Sequence, residues 1–89
     1  MIGLEYIMKM NNTTFNFVEE LLNIKRQNAQ SWCSKDRKIP KKYLLILSQE
    51  FEIPIEYFQK ELNEVDKLKL QKIKLLNECD KLGLKLEEI

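Results

Sequence analysis

The chain has 89 residues, of which 44% are hydrophobic and 33% charged, and its formal net charge is +1. This length allows one small core, and this composition is typical of a folded rather than a disordered protein. Histidine is absent and only two glycines and two cysteines are present, which argues against triad hydrolysis, zinc sites, glycine-rich phosphate loops and a disulfide scaffold. We therefore expect no enzyme, no metal and no other cofactor.

The sequence also argues against a membrane protein. No apolar run approaches the roughly 20 residues that a membrane span requires. Residues 1–5 lack the basic segment that precedes the apolar stretch of a signal peptide. We expect a cytoplasmic protein with no membrane partner.

The near-neutral net charge conceals a strongly basic segment. Residues 25–42 contain seven basic side chains against one acid, a local charge of +6, whereas the rest of the chain carries −5. Such segregation of charge is typical of a surface that faces phosphate groups. The alternative interpretation is a solvated basic surface without a partner.

The first group of apolar residues with helical spacing lies near the N-terminus. Leu4, Ile7 and Met8 have the i, i+3, i+4 spacing of a short first helix, which should end within residues 11–14. A second helix should then start at Thr14 or Asn16.

The second helix carries signals at both ends. The spacing of Asn16 and Glu19 resembles a capping box at its start. Val18, Leu21 and Leu22 form its inward side, and Asn23 should end it, because asparagine enters the left-handed region at low cost.

The third helix is predicted from Arg26 to Ser34, with Ala29 and Trp32 facing inward and most other positions polar. The core is the expected environment of Trp32, rather than stacking on a base. A turn through Ile39 follows, since the residue before a proline disfavours the helical state.

Two further helices are predicted around the two prolines. The fourth covers residues 41–51, with Leu44, Leu47 and Phe51 on one stripe. The fifth should begin at Pro54, because proline suits the first helical turn. Its expected apolar side consists of Tyr57, Phe58 and Leu62.

The last predicted helix covers residues 63–82 and ends at Gly83. Its apolar positions alternate at three and four residues, which is heptad spacing with Lys72 as one polar position. We predict that residues 1–62 form one domain and that residues 63–89 pair two chains, although folding back onto the same chain is the alternative. The predicted dimerisation residues are Val65, Leu68, Leu75, Leu76, Cys79 and Leu82.

The order of these elements carries a resemblance. Leu22-Asn23-Ile24 matches a leucine-glycine-valine turn, Ala29 and Trp32 match an inward pair, and Arg37-Lys38-Ile39-Pro40 matches a basic loop ending in proline. Residues 14–58 thus resemble the Cro/repressor-type (Xre-like) helix-turn-helix domain. The resemblance implies an all-α, lambda-repressor-like bundle of about five helices, to which the long C-terminal amphipathic helix is added.

The resemblance also implies which side chains contact DNA. The base-reading positions fall on Arg26, Gln27 and Ser31, with Asn28 and Gln30 close by. Their chemistry agrees, because arginine pairs with guanine, and glutamine or asparagine with adenine, in the major groove. The expected phosphate-contacting residues are Lys25, Lys35, Arg37, Lys38, Lys41, Lys42 and Tyr43.

These features predict a small transcriptional repressor that binds double-stranded DNA sequence-specifically, as a homodimer on a palindromic site. A plasmid or phage accessory for DNA maintenance or transfer would use the same contacts. A different class of function stays open as well: an antitoxin-like adapter that binds another protein through the last helix.

Overall fold

The computed structural model describes residues 1–34 and 37–84, and in these ranges the chain is all-α, as predicted. No strand forms in these ranges, although Ile2 and Glu61 make one isolated antiparallel bridge. The helices are α1 (Gly3–Met10), α2 (Phe15–Leu22), α3 (Arg26–Cys33), α4 (Lys41–Phe51), a 3₁₀ turn (Ile55–Tyr57) and α5 (Glu64–Lys81).

Helix α2 begins two residues before the position that the predicted capping box requires. The Thr14 side chain accepts a hydrogen bond of 3.4 Å from the Phe17 amide, which makes Thr14 the N-cap. The predicted Asn16–Glu19 capping box is therefore wrong. Asn23 ends the helix in the left-handed region, with φ 54°, as expected from its side chain.

Helices α3 and α4 follow the predicted pattern closely. Ala29 and Trp32 are buried on α3, while Leu44 and Leu47 are buried on α4, which begins and ends at the predicted residues. Glu52 takes a left-handed conformation, with φ 56°, directly after α4. This conformation ends the helix.

The predicted fifth helix is wrong: only the three-residue 3₁₀ turn follows Pro54. The N-terminal segment instead forms hydrogen bonds with the chain after this turn. The amides of Gly3, Leu4 and Leu62 donate to the carbonyls of Lys60, Phe58 and Met1 at 2.9, 2.7 and 2.9 Å, respectively. These long-range bonds engage the carbonyls of Phe58 and Lys60 and the amide of Leu62, so these groups are not available to continue a helix.

Helix α5 has well-defined signals at both ends. Asn63 and Asp66 form a capping box, in which the side chain of each accepts from the backbone amide of the other. At the other end Gly83 has φ 71°, and the Leu84 amide donates to the Cys79 carbonyl at 2.8 Å. This is the Schellman geometry that the predicted C′ glycine favours.

One face of α5 folds back on the rest of the molecule. Leu70 is fully buried in the same core cluster as residues from α1 to α4. Gln71 Nε2 donates to the Tyr6 hydroxyl at 2.8 Å, and Asn77 Nδ2 donates to the Glu52 carbonyl at 2.9 Å. Helix α5 therefore completes the core, whereas its predicted role in pairing two chains stays a prediction.

Candidate nucleic-acid interface

Helix α3 divides its side chains between the core and the surface. Ala29 and Trp32 are buried, and a rotation of about 100° per residue places a polar side opposite them. We call this side the polar face of α3. Its members are Gln27, Gln30, Ser31 and Ser34.

The hydroxyl groups of the polar face donate to their own helix. Ser31 Oγ donates to the Gln27 carbonyl at 2.9 Å, and Ser34 Oγ donates to the Ser31 carbonyl at 3.1 Å. The Ser31 hydroxyl oxygen keeps acceptor capacity for a ligand. The long amide side chains of Gln27 and Gln30 are exposed, whereas Asn28 is half-buried beside them.

Ser34 is a member of this face that was not predicted from the sequence. It lies seven residues after Gln27 and four after Gln30, which is the spacing of one helix face. Helical spacing alone was the signal that would have identified it.

Arg26 already has an acidic partner in this structure. Its Nε donates to Glu19 Oε2 at 3.2 Å, which joins the start of α3 to α2. The Arg26 side chain is 54% exposed and that of Glu19 is 24% exposed. The guanidinium thus remains accessible, but a ligand that accepts a hydrogen bond from its Nε must displace Glu19.

Tyr43 links α3 to the start of α4. Its ring centroid lies 5.5 Å from that of Trp32, and Lys42 Nζ lies 4.9 Å from the Tyr43 centroid. These two contacts bring the Lys42 ammonium close to the packing between α3 and α4.

Four exposed basic side chains lie at the start of α4 or in the segment just before it. We call them the basic group, and they are Arg37, Lys38, Lys41 and Lys42. Lys25, also exposed, precedes α3 at its other end. Lys35, a predicted phosphate contact, lies outside the described residues.

The segment that carries Arg37 and Lys38 is fixed by its last residues. The Ile39 side chain is buried, and its amide donates to Gln59 Oε1 at 3.0 Å. Pro40 continues in an extended conformation, with ψ 144°, and its side chain forms no hydrogen bond to cap α4. The positive end of the α4 dipole therefore lies beside the lysines that begin this helix.

The predicted dimerisation residues fall into two environments. Five of them, on α5 or at its C-cap, are between 41% and 73% exposed. We call them the α5 stripe, which consists of Val65, Leu68, Leu75, Leu76 and Leu82. Cys79 differs because it is buried within its own chain, with 4% exposure, so it offers no surface to a second copy.

Neither cysteine shows the surroundings of a reactive thiol. Burial, assisted by the charge of Glu5, raises the pKa of the half-buried Cys33 to about 11. Across residues 1–34 and 37–84, no three side chains of histidine, cysteine, aspartate or glutamate are grouped so that they could hold a metal ion. In the same ranges no helix has the length and hydropathy needed to cross a membrane.

Comparison with known protein families, curated proteins and solved structures gives no match to this chain. The arrangement of α3 with the basic group is therefore the basis for any functional conclusion.

Proposed function

We propose that this protein binds double-stranded DNA sequence-specifically and acts as a small transcriptional repressor, in the form of a homodimer on a palindromic site. The observation that carries the proposal is the contact of the Tyr43 ring with both Trp32 and Lys42. It joins an exposed polar helix to a set of exposed cations, as a protein that reads bases while holding the backbone requires.

The polar face of α3 has the chemistry needed to read bases. The amides of Gln27 and Gln30 each offer a donor and an acceptor, which match N7 and N6 of adenine in the major groove. An α-helix fits this groove, and the side chains of α3 that do not point at the core are short or flexible. In this proposal α2 and α3 are the two helices of a helix-turn-helix, with left-handed Asn23 in the turn between them.

Arg26 has donors for a base even while its Nε stays bonded to Glu19. Its Nε bond to Glu19 leaves the terminal nitrogens of the guanidinium to pair with guanine O6 and N7. An exposed ion pair of this kind contributes only roughly 0–1 kcal/mol to stability. Replacing Glu19 with a base as the partner of Arg26 therefore costs little. Glu19 holds the guanidinium in position while its bond to Nε is kept, and the Nε donor becomes free for a base when that bond breaks.

The basic group holds the phosphate backbone. The Lys41 and Lys42 side chains lie at the N-terminus of α4, where the helix dipole also favours an anion. Arg37 and Lys38 precede this helix on a segment fixed by the buried Ile39. Contacts of this kind set the position of α3 on the duplex without reading sequence.

Two alternative functions would use the surfaces described above. A DNA-maintenance or transfer accessory of a plasmid or phage would use the same contacts, and only the location of the binding site would differ. The exposed α5 stripe favours the antitoxin-like adapter, because such an apolar surface also suits another protein. Changing Lys41 and Lys42 to glutamate separates the two classes, since an adapter keeps its cellular phenotype and a DNA-binding regulator loses it.

Selection from random duplexes tests the proposal. We expect a consensus sequence, and we expect Gln27→Ala to lower affinity for it by roughly 5-fold to 150-fold, because one bidentate base contact is worth about 1–3 kcal/mol. Gln49→Ala is the matched control, since Gln49 is also an exposed glutamine and lies on α4 outside the polar face. Recovery of no consensus, or equal losses in both variants, would contradict base reading by α3.

A further inference from the structure

The α5 stripe lies opposite the face by which α5 packs on its own chain. Leu70 and Asp66, both buried, mark the packed face. At 100° per residue, the stripe is centred about half a turn away from them. Its five side chains together expose roughly 500 Å² of largely apolar surface, which is near the upper limit for a monomer.

A second copy of the chain is the occupant that fits this surface best. Two stripes of this size would bury about 1,000 Å² in total, the lower limit for a specific interface. One charged residue, Lys72, lies among the five apolar residues of the stripe, so a partner must itself be apolar along nearly its whole length. A two-fold pair meets this requirement directly, because each copy presents the same surface to the other.

The spacing of the helix positions indicates the direction of pairing. Residues 65, 68, 72, 75, 79 and 82 are separated by 3, 4, 3, 4 and 3, which reads the same from either end. An antiparallel copy can therefore align with it, which places Val65 against Leu82 and Lys72 against Leu75 of the second copy, whereas Leu68 lies against position 79, where the cysteine is buried. A parallel, in-register copy would place the two Lys72 ammonium groups side by side at the centre of the interface, where like charges repel.

We propose that two copies of this chain pair through the α5 stripe, with their α5 helices antiparallel. Each Lys72 then lies along Leu75 of the second copy and extends its ammonium group to solvent. This inference deepens the proposed function, since a palindromic site requires two α3 helices, and rests on it for its biological role. Its physical test uses no DNA.

Sedimentation of the full chain tests the pairing. We expect a dimer of twice the 10.7 kDa chain mass at tens of micromolar, because an interface of this small size gives micromolar affinity. Leu68→Asp should raise the dissociation constant of the dimer at least 10-fold and so shift the protein toward monomer. Leu45→Asp is the matched control, since Leu45 is an exposed leucine on α4 outside the stripe, and it should remain dimeric.

Disulfide trapping tests the direction of pairing. Val65→Cys and Leu82→Cys are oxidised separately and as a mixture, with the unchanged chain as the control for Cys33 and Cys79. Antiparallel pairing predicts a cross-linked dimer only in the mixture. A cross-link formed by either variant alone above that control overturns the direction, because a parallel pair places identical residues together.

The outcomes separate this inference from the proposed function. A folded chain that stays at 10.7 kDa throughout the micromolar range, or a Leu68→Asp variant that dimerises like the unchanged chain, overturns the pairing. DNA selection can still succeed in either case, with a consensus of one half-site. Conversely, a cross-linked antiparallel dimer that selects no DNA sequence supports the pairing and contradicts the proposed function.

Discussion

Gly3 is required by a close approach of two backbone segments. The amide of Gly3 donates to the Lys60 carbonyl, and a β-carbon added at Gly3 would overlap the Tyr57 carbonyl oxygen. Because the obstacle is backbone rather than a flexible side chain, the two segments would have to separate. A single methyl group at this position therefore threatens the hydrogen bonds that replace the predicted fifth helix.

We expect Gly3→Ala to lower the free energy of unfolding by roughly 2–4 kcal/mol, measured by urea denaturation. Gly83→Ala is the matched control: Gly83 has φ 71° but open space around it, so only about 1 kcal/mol of left-handed strain is expected. Equal losses in the two variants would show that residues 1–4 do not pack as described.

Single residues also show where sequence reasoning succeeds. The buried positions of Ala29 and Trp32 follow from their spacing within one helix, and that prediction is confirmed. The ion pair of Glu19 with Arg26 could not be predicted in the same way, because it joins two helices across a turn. The capping signal at Asn16 was misleading, since Thr14 lies nearby with an equally suitable side chain.

Among the elements, those with local signals at both ends were predicted best. Helix α4 begins after Pro40 and ends at the predicted residue, while α5 begins at the Asn63 cap and ends before Gly83. The predicted fifth helix had a start signal in Pro54, but long-range hydrogen bonds to residues 1–4 determine the structure there. Partners that are distant in sequence leave no trace in local spacing.

The start of α5 contains a buried acidic residue whose charge stabilises the fold. Asp66 Oδ1 accepts from Lys60 Nζ at 3.0 Å, and its other oxygen accepts from the Asn63 amide at 3.2 Å. These bonds, that of Lys60 first, hold the pKa of the Asp66 carboxyl below its ordinary value of 3.8. A lowered pKa means that the folded state favours the ionised form.

The stability that Asp66 contributes should therefore depend on pH. It is present above the unfolded pKa and is lost as the pH falls through the folded pKa. We expect Asp66→Asn to be less stable than the unchanged chain at pH 7, with the difference shrinking below about pH 4. Denaturant unfolding at a series of pH values measures this.

Glu64→Gln is the matched control for this prediction. Glu64 lies in the same first turn but its side chain is 89% exposed, with Lys67 Nζ at 3.5 Å, so its charge should matter little. A difference between Asp66→Asn and the unchanged chain that stays constant with pH would contradict the assigned role of the Asp66 charge.

At the scale of the whole molecule, α5 has one face that packs into the core and another that is exposed. The heptad spacing predicted the apolar positions that now form the exposed stripe, but a second set that includes Leu70 packs into the core. The sequence contained both sets, and spacing alone does not say which one the chain buries on itself. The choice depends on the shape of the groove that the other helices leave.

The distribution of charge is also a property of the whole molecule. A chain of net charge +1 has its +6 segment at residues 25–42, and every described basic residue in that segment is exposed. If the basic surface is solvated and has no partner, we expect no salt-dependent binding of a duplex. Only contacts with phosphate release counterions when they form.

The salt dependence of duplex binding tests the central claim most directly. We expect the logarithm of the association constant to fall with the logarithm of salt concentration, with a slope of about −3 to −4 per bound copy for four phosphate contacts each, and so about −7 for the dimer. Lys42→Gln should reduce that slope by about one per copy, whereas Lys81→Gln, at the far end of α5 beside Glu52, should leave it unchanged. A slope near zero, or the same change in both variants, would contradict binding of DNA by α3 and the basic group.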